Sequence, residues 1–154
     1  DLAGLYGKDL GQPARAAATW QAYLASHPSG RFAPRAMAEL ADLALASGDV
    51  AQAEHHWRRL CELRPGAPEA VVAFIRVGRA NVDRGDLDVA AAWYSRPVPG
   101  ASADLAEAAL VGLMSVRLTQ GRVEDVRRLA AEHATRFPKG ARGAEVERVL
   151  AKVR

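Results

Sequence analysis

The fold is decided by one stretch of sequence, LADLALASGDVAQA at Leu40–Ala53. Apolar residues recur at helical spacing before Gly48, and a second helical run begins just after it. A glycine directly after such a run suits the left-handed residue that ends a helix. Asp49 follows as an N-cap, and Asp86 is expected to do the same after Gly85. Gln52 lies three residues after Asp49, in capping-box spacing. So short a link predicts two antiparallel helices packed against each other.

The same pattern recurs along the chain at a nearly constant period. Its glycines are Gly11, Gly48, Gly85 and Gly121, which lie 37, 37 and 36 residues apart. A residue nine positions after the first three glycines is aromatic, namely Trp20, Trp57 and Tyr94. Prolines stand seventeen positions after three of the glycines, at Pro28, Pro65 and Pro138. The aromatic residues are expected to fill the space between helix pairs, and the prolines to end the second helix of each pair.

Composition favours the same architecture. Of the 154 residues 49% are hydrophobic, but 33 are alanine and only 9 are Phe, Trp or Tyr, which suits close helix-on-helix contact rather than a β-sandwich core. No apolar run is long enough for a membrane helix. We therefore expect an all-α protein with helices over 1–9, 13–27, 33–47, 50–63, 68–84, 87–95, 103–120, 123–136 and 142–153. Pro97 is expected to end the sixth helix, leaving Ser95–Ser102 as a spacer or a binding loop.

A small residue also stands five positions after the first three glycines, at Ala16, Ala53 and Ala90. The pattern resembles the tetratricopeptide repeat, in which glycine, a small residue, an aromatic residue and proline recur at such offsets. The resemblance implies a right-handed solenoid of antiparallel helix pairs in one domain, 1–154, with repeats near 1–32, 33–67, 68–102 and 103–140 and a capping helix over 141–154. The links HPSGRF at 27–32 and FPKGAR at 137–142 resemble those of bacterial envelope proteins of this family. Those include outer-membrane assembly lipoproteins, the Tol-Pal coordinator type and repeats attached to sigma-factor regulators of the FecR kind.

Charge and motifs exclude several classes of function. The net charge of +3 comes from basic residues interleaved with acidic ones, which does not suit a nucleic-acid partner. No phosphate-binding loop, nucleophile motif or zinc-site spacing occurs, and the adjacent His55 and His56 point about 100° apart on a helix. Cys61 is expected to be a small buried hydrophobe. The sequence therefore predicts a protein that is not an enzyme and that needs no cofactor or metal.

The first helix of each pair lines the concave face in the resembled family. By helical phase, an apolar strip with arginines beside it is expected there, and such a strip either receives a partner segment or is covered within the chain. An arginine beside it could hold a carboxylate of the partner. The candidate partner-binding residues are Arg35, Asp42, Leu45, Ile75, Arg76, Arg79, Val82, Val111, Ser115 and Leu118.

The functional expectation is a non-catalytic scaffold or adaptor that binds a peptide or helix of another protein. A homo-oligomerisation module and a small-molecule sensor are the alternatives. The sequence opens without a methionine and inside a helical pattern, so we expect a piece of a larger bacterial protein. The resemblance favours the periplasm or the cell envelope over the cytoplasm.

Overall fold

The computed structural model describes residues 12–96 and 100–153, and every regular element among them is helical. The all-α fold is thus confirmed, and seven of the eight described α-helices begin and end within one residue of their predicted bounds. The last helix, expected over 142–153, is α-helical only over Gly143–Leu150 and continues as a 3₁₀ turn. The helix expected over 1–9 and the centre of the loop expected over Ser95–Ser102 lie outside the described residues. The helices are α1 (Pro13–Ser26), α2 (Ala33–Ala46), α3 (Val50–Leu63), α4 (Pro68–Arg84), α5 (Leu87–Tyr94), α6 (Ala103–Thr119), α7 (Val123–Arg136) and α8 (Gly143–Leu150), followed by a 3₁₀ turn at Ala151–Val153.

The chain forms two compact units, Asp1–Ala73 and Phe74–Arg154. In the first unit α2 packs against both α1 and α3. In the second unit α6 packs against α5 and α7, and α8 packs against α6 and α7 as a terminal helix. The expectation of one domain over 1–154 stays a prediction.

Glycine in a left-handed conformation ends the first helix of each described pair. Gly48, Gly85 and Gly121 have φ of 82°, 83° and 71°, a region that a Cβ would strain. The amide of Asp49, one residue beyond Gly48, donates to the Ala44 carbonyl at 2.8 Å, and the other two turns repeat this hydrogen bond. These Schellman-type turns satisfy the last carbonyls of one helix and start the next helix at once.

The two predicted aspartate caps have different outcomes. Asp49 Oδ1 accepts a hydrogen bond from the Gln52 amide at 2.9 Å, which confirms the cap of α3. Asp86 stands at the N-cap position of α5, but its side chain makes no capping bond and instead forms an ion pair with Arg84. The predicted N-cap position of Asp86 is thus confirmed, but its carboxylate pairs with the guanidinium two residues earlier instead of with a backbone amide.

Large aromatic side chains form the centre of each unit. Trp20 and Trp57 are buried in the first unit, where Trp57 is 1% exposed. In the second unit Trp93 is 1% exposed, and its ring lies 5.5 Å from that of Phe74. Its neighbour Tyr94 is half-buried and packs against the core with its ring between Gly78 and Gly112, which confirms the prediction that it fills space between helices.

A buried carboxylate joins α6, α7 and α8. Glu107 Oε1 lies 2.8 Å from Nε2 of His133, and the two side chains are 3% and 7% exposed. The same carboxylate accepts hydrogen bonds from the backbone amides of Arg142, at 2.9 Å, and Ala141, at 3.2 Å. A Cβ at Gly140 would overlap the carboxylate, so only glycine allows the link before α8 to approach it. Glu107 thus caps α8 from another helix.

Electrostatics keep Glu107 ionised in this setting. Burial alone would raise the pKa of its carboxyl group, but the hydrogen bond from His133, the two backbone amides and the attraction of the imidazole hold that pKa below its usual value. Because the folded pKa is lower than the unfolded pKa, Glu107 stabilises the fold above its unfolded pKa. That contribution is lost as the pH falls through the folded pKa.

We expect Trp57→Ala to lower the free energy of unfolding by about 3–5 kcal/mol, because it leaves a large cavity in a packed core. Arg59→Ala, an exposed change on the same helix, should cost about 0.5 kcal/mol or less. Urea denaturation followed by circular dichroism measures both values. Equal effects of the two changes would contradict the packing register given for α3.

We expect Glu107→Gln to unfold more easily than the wild type at neutral pH, with the difference shrinking as the pH falls from about 5 through the lowered pKa of Glu107. Thermal unfolding at a series of pH values measures this. Glu124→Gln is the matched control, because Glu124 is exposed and pairs with Arg127 at the surface. A pH-independent difference for Glu107→Gln would contradict the role given to its charge.

Candidate partner-binding surface

One face of α4 combines apolar side chains with an arginine. Ile75, Arg79 and Val82 follow one another at intervals of four and three residues, which places them on the same side of the helix. Ile75 is half-buried, Arg79 is exposed and Val82 is 36% exposed. We call these three residues the α4 face. It offers two apolar side chains, one on each side of a positively charged side chain.

The ring of Tyr94 lies beside the α4 face, between α4 and α6. A Cβ built at Gly78 of α4 would lie 2.8 Å from this ring, and a Cβ built at Gly112 of α6 would lie equally close. Two glycines therefore make the space that one tyrosine fills. Tyr94 fixes how closely the two helices approach next to Arg79.

The phenol of Tyr94 interacts electrostatically with Arg79 of the α4 face. Burial raises the pKa of Tyr94, the positive charge of Arg79 lowers it, and the negative charge of Asp83 raises it, with a net increase above the usual value. The phenol therefore stays protonated at neutral pH and can donate a hydrogen bond beside the guanidinium. Sequence reasoning predicted that the Tyr94 ring packs between helices, but it did not predict that the phenol interacts with Arg79.

The candidates on α6 do not all reach the surface. Val111 is 2% exposed and belongs to the hydrophobic core of the second unit, so its assignment to an open partner-binding strip was wrong. Leu118 is half-buried and packs against the same core, and Ser115 is half-buried. Helical phase could not separate these positions because α6 is apolar around most of its circumference. The sequence left two alternatives for the apolar strip, a partner-binding surface or coverage within the chain. For Val111 the second alternative is correct.

The remaining candidates have varied surroundings. In the first unit, Arg35 of α2 lies 3.8 Å from the carboxylate of Glu39, and its guanidinium lies 5.8 Å from the centre of the Trp20 ring. Asp42 and Leu45 on the same helix are half-buried, and Arg76 on α4 is exposed. Their part in binding stays a prediction.

The side chains on α3 with catalytic or metal-binding chemistry are two adjacent histidines and a cysteine. Burial, together with the neighbouring His55 and Arg59, lowers the pKa of His56, which stays neutral at physiological pH. Cys61 is half-buried rather than buried as expected. Over residues 12–96 and 100–153, no group of three or more His, Cys, Asp or Glu side chains could hold a metal ion. None of the helices in that part of the chain is long and apolar enough to cross a membrane.

The sequence of this chain matches a known family of repeat proteins. A family model described as a tetratricopeptide repeat matches the chain twice, at residues 3–68 and 38–104. The two matches overlap and together cover more than half of the chain. No curated protein matches it.

We expect Gly112→Ala to destabilise the protein by about 1–3 kcal/mol, as overpacking does, although glycine to alanine inside a helix ordinarily gains about 1 kcal/mol. The new methyl group would collide with Tyr94. Gly143→Ala is the matched control, since a Cβ there meets nothing within 4 Å. Unfolding midpoints measure both changes, and stabilisation by Gly112→Ala would contradict the tight Tyr94 contact.

Proposed function

This chain belongs to the tetratricopeptide-repeat family, and from that premise we propose that it is a non-catalytic scaffold domain of a larger bacterial protein. Repeats of this family generally mediate protein–protein interaction. The partner contact that we propose is a short protein segment bound on the α4 face. One observation carries the proposal, namely that exposed Arg79 lies between two apolar side chains on one side of a helix.

The side chains of the α4 face define the chemistry of the segment. Ile75 and Val82 favour apolar anchors, because seating them removes apolar surface from water. Arg79 favours a carboxylate, either an acidic side chain or a free C-terminus, since a guanidinium binds carboxylates in a fixed geometry. The Tyr94 hydroxyl adds a neutral hydrogen-bond donor beside it. A short segment on so small a surface buries less than about 1,200 Å² in total, which suits a weak and exchangeable complex.

The place of action that we propose is the periplasm or the envelope surface of a bacterium. Support comes from the two links of the HPSGRF and FPKGAR type, at 27–32 and 137–142, which resemble those of envelope members of the family. Fractionation of cells that express the protein at its natural level tests this location. Recovery in the cytoplasmic fraction would contradict it.

We expect Arg79→Ala and Val82→Ser each to weaken segment binding about tenfold, the usual effect of removing an anchor from a small interface. Short peptides selected on the wild-type chain from a random display library serve as the probe, and fluorescence anisotropy measures their dissociation constants. The selected peptides should share apolar residues next to an acidic residue or a free carboxyl end.

Two matched variants control for general effects. Val89→Ser alters a valine on α5 that is 40% exposed, close to the exposure of Val82, and Arg58→Ala removes an exposed arginine from α3. Both should leave binding and the unfolding midpoint unchanged. Binding that survives Arg79→Ala and Val82→Ser but fails with a control variant would move the site elsewhere, and a library that yields no binder would contradict the scaffold proposal.

A further inference from the structure

A cleft of about 280 Å³ lies in the first unit and is lined by residues of α1, α2 and α3. Its walls are of two chemical kinds. One part is small or apolar and includes Ala17, Leu40 and Ala44. The other part is polar and includes Gln21, Gln52 and His56. We call this space the α1–α3 cleft.

The imidazole of His56 carries a buried nitrogen that lacks a partner. His56 is 8% exposed and lines the α1–α3 cleft. Its Nδ1 is shielded from solvent and makes no hydrogen bond with the part of the chain that the structure describes. A buried polar atom without a hydrogen bond is costly and is uncommon in native proteins. A group in the cleft that bonds to Nδ1 would remove this cost.

The His56 ring is uncharged at physiological pH. Burial lowers its pKa, and the positive charges of His55 and Arg59 lower that pKa further. A neutral imidazole has one nitrogen that donates and one that accepts, and the proton can reside on either. Nδ1 can therefore donate or accept a hydrogen bond, but it offers no charge to a ligand.

The rest of the polar wall is also largely uncharged. Gln21 and Gln52 present amide groups, which both donate and accept hydrogen bonds. Asp49 is the one fully charged side chain among the described residues that line the cleft. It is exposed, and its Oδ1 accepts a hydrogen bond from the Gln52 amide at 2.9 Å, so its charge stabilises the start of α3. A charged ligand that left water for this cleft would find little compensation.

An uncharged carboxamide matches this wall. Its oxygen accepts hydrogen bonds and its nitrogen donates two, so one such group can bond to His56 Nδ1 and to a glutamine amide at the same time. The apolar part of the cleft, with Ala17 and Leu40, favours a small apolar body attached to that group. The volume of the cleft suits a small molecule or a single side chain.

We propose that the α1–α3 cleft binds an uncharged carboxamide on a small apolar body, with His56 Nδ1 as its hydrogen-bond anchor. The group belongs either to a free small molecule or to an asparagine or glutamine side chain of a partner protein. No residue of the α4 face lines the cleft, so this site is additional to the partner contact proposed above.

The test compares benzamide, benzoate and benzamidinium, which have nearly the same shape but are neutral, anionic and cationic. Titration of the intact chain with each compound is followed through the ¹⁵N and ¹H resonances of the His56 ring. We expect saturable binding of benzamide and about tenfold weaker binding of both ions, because each ion loses its hydration without a matching charge. Binding of either ion as tight as that of benzamide would overturn the proposal.

Two pairs of variants locate the site. His56→Leu should weaken benzamide binding about tenfold by removing the anchor, whereas His55→Leu, at the exposed neighbour, should not. Ala17→Phe should block binding by filling the cleft, and Ala18→Phe, at an exposed alanine outside the lining, is its matched control. Circular dichroism and unfolding midpoints establish that the variants keep their fold. Benzamide binding that is insensitive to Ala17→Phe would overturn the proposal even if His56→Leu does not fold.

A second probe, N-acetyl-glutamine methylamide, distinguishes the two sources of the carboxamide. Tighter binding of this probe than of benzamide would assign the group to a protein side chain, and the reverse order would assign it to a free small molecule. Saturable binding of neither probe would overturn the proposal. Ring resonances that show Nδ1 already hydrogen-bonded in the ligand-free chain would overturn it as well.

Discussion

The fold depends on one backbone constraint, the left-handed residue at the end of the first helix of each described pair. Only glycine adopts φ near +80° without strain from a Cβ, and Gly48, Gly85 and Gly121 do so. The following amide then bonds back to a carbonyl five residues earlier, and the next helix begins almost at once. Local backbone geometry therefore makes the two helices of each pair antiparallel, and this needs no side chain from another pair.

Once the pairs are set, the sizes of side chains determine what lies inside and what stays open. Where a bulky residue meets a small one, the helices close on each other, as Tyr94 does between Gly78 and Gly112. Where small side chains line one wall, as Ala130 and Ala134 do on α7, an open groove remains. The same repeat thus yields a packed core at one position and an open surface at another, without a change in helix order.

The sequence predicted the helices well because their signals are local. Glycine period, proline and helical spacing act within a few residues, so the bounds of α3, α4 and α7 agree with the expected ones. Contacts between residues far apart in the sequence could not be predicted, because no local pattern indicates them. The bond between Glu107 and His133 joins residues 26 positions apart, and the bond from Glu107 to the Arg142 amide spans 35 positions.

The candidate surface was predicted only in part for the same reason. Ile75, Arg79 and Val82 lie on one side of α4, as helical phase requires. The burial of Val111 could not be predicted from helical phase. Because α6 is apolar on most of its sides, the sequence does not indicate which side faces the core. The correct assignment depends on the hydrophobic core that α6 shares with residues of α5, α7 and α8, to which Val111 belongs.

The α4 face shows how local packing determines what a surface can offer a ligand. Gly78 and Gly112 let the Tyr94 ring lie between α4 and α6, so an aromatic ring closes one side of α4. On another part of the same helix, Ile75, Arg79 and Val82 follow one another at helical spacing, with the exposed Arg79 between the two apolar side chains. In the partner contact that we propose, the guanidinium would select for a carboxylate and the apolar side chains for apolar anchors.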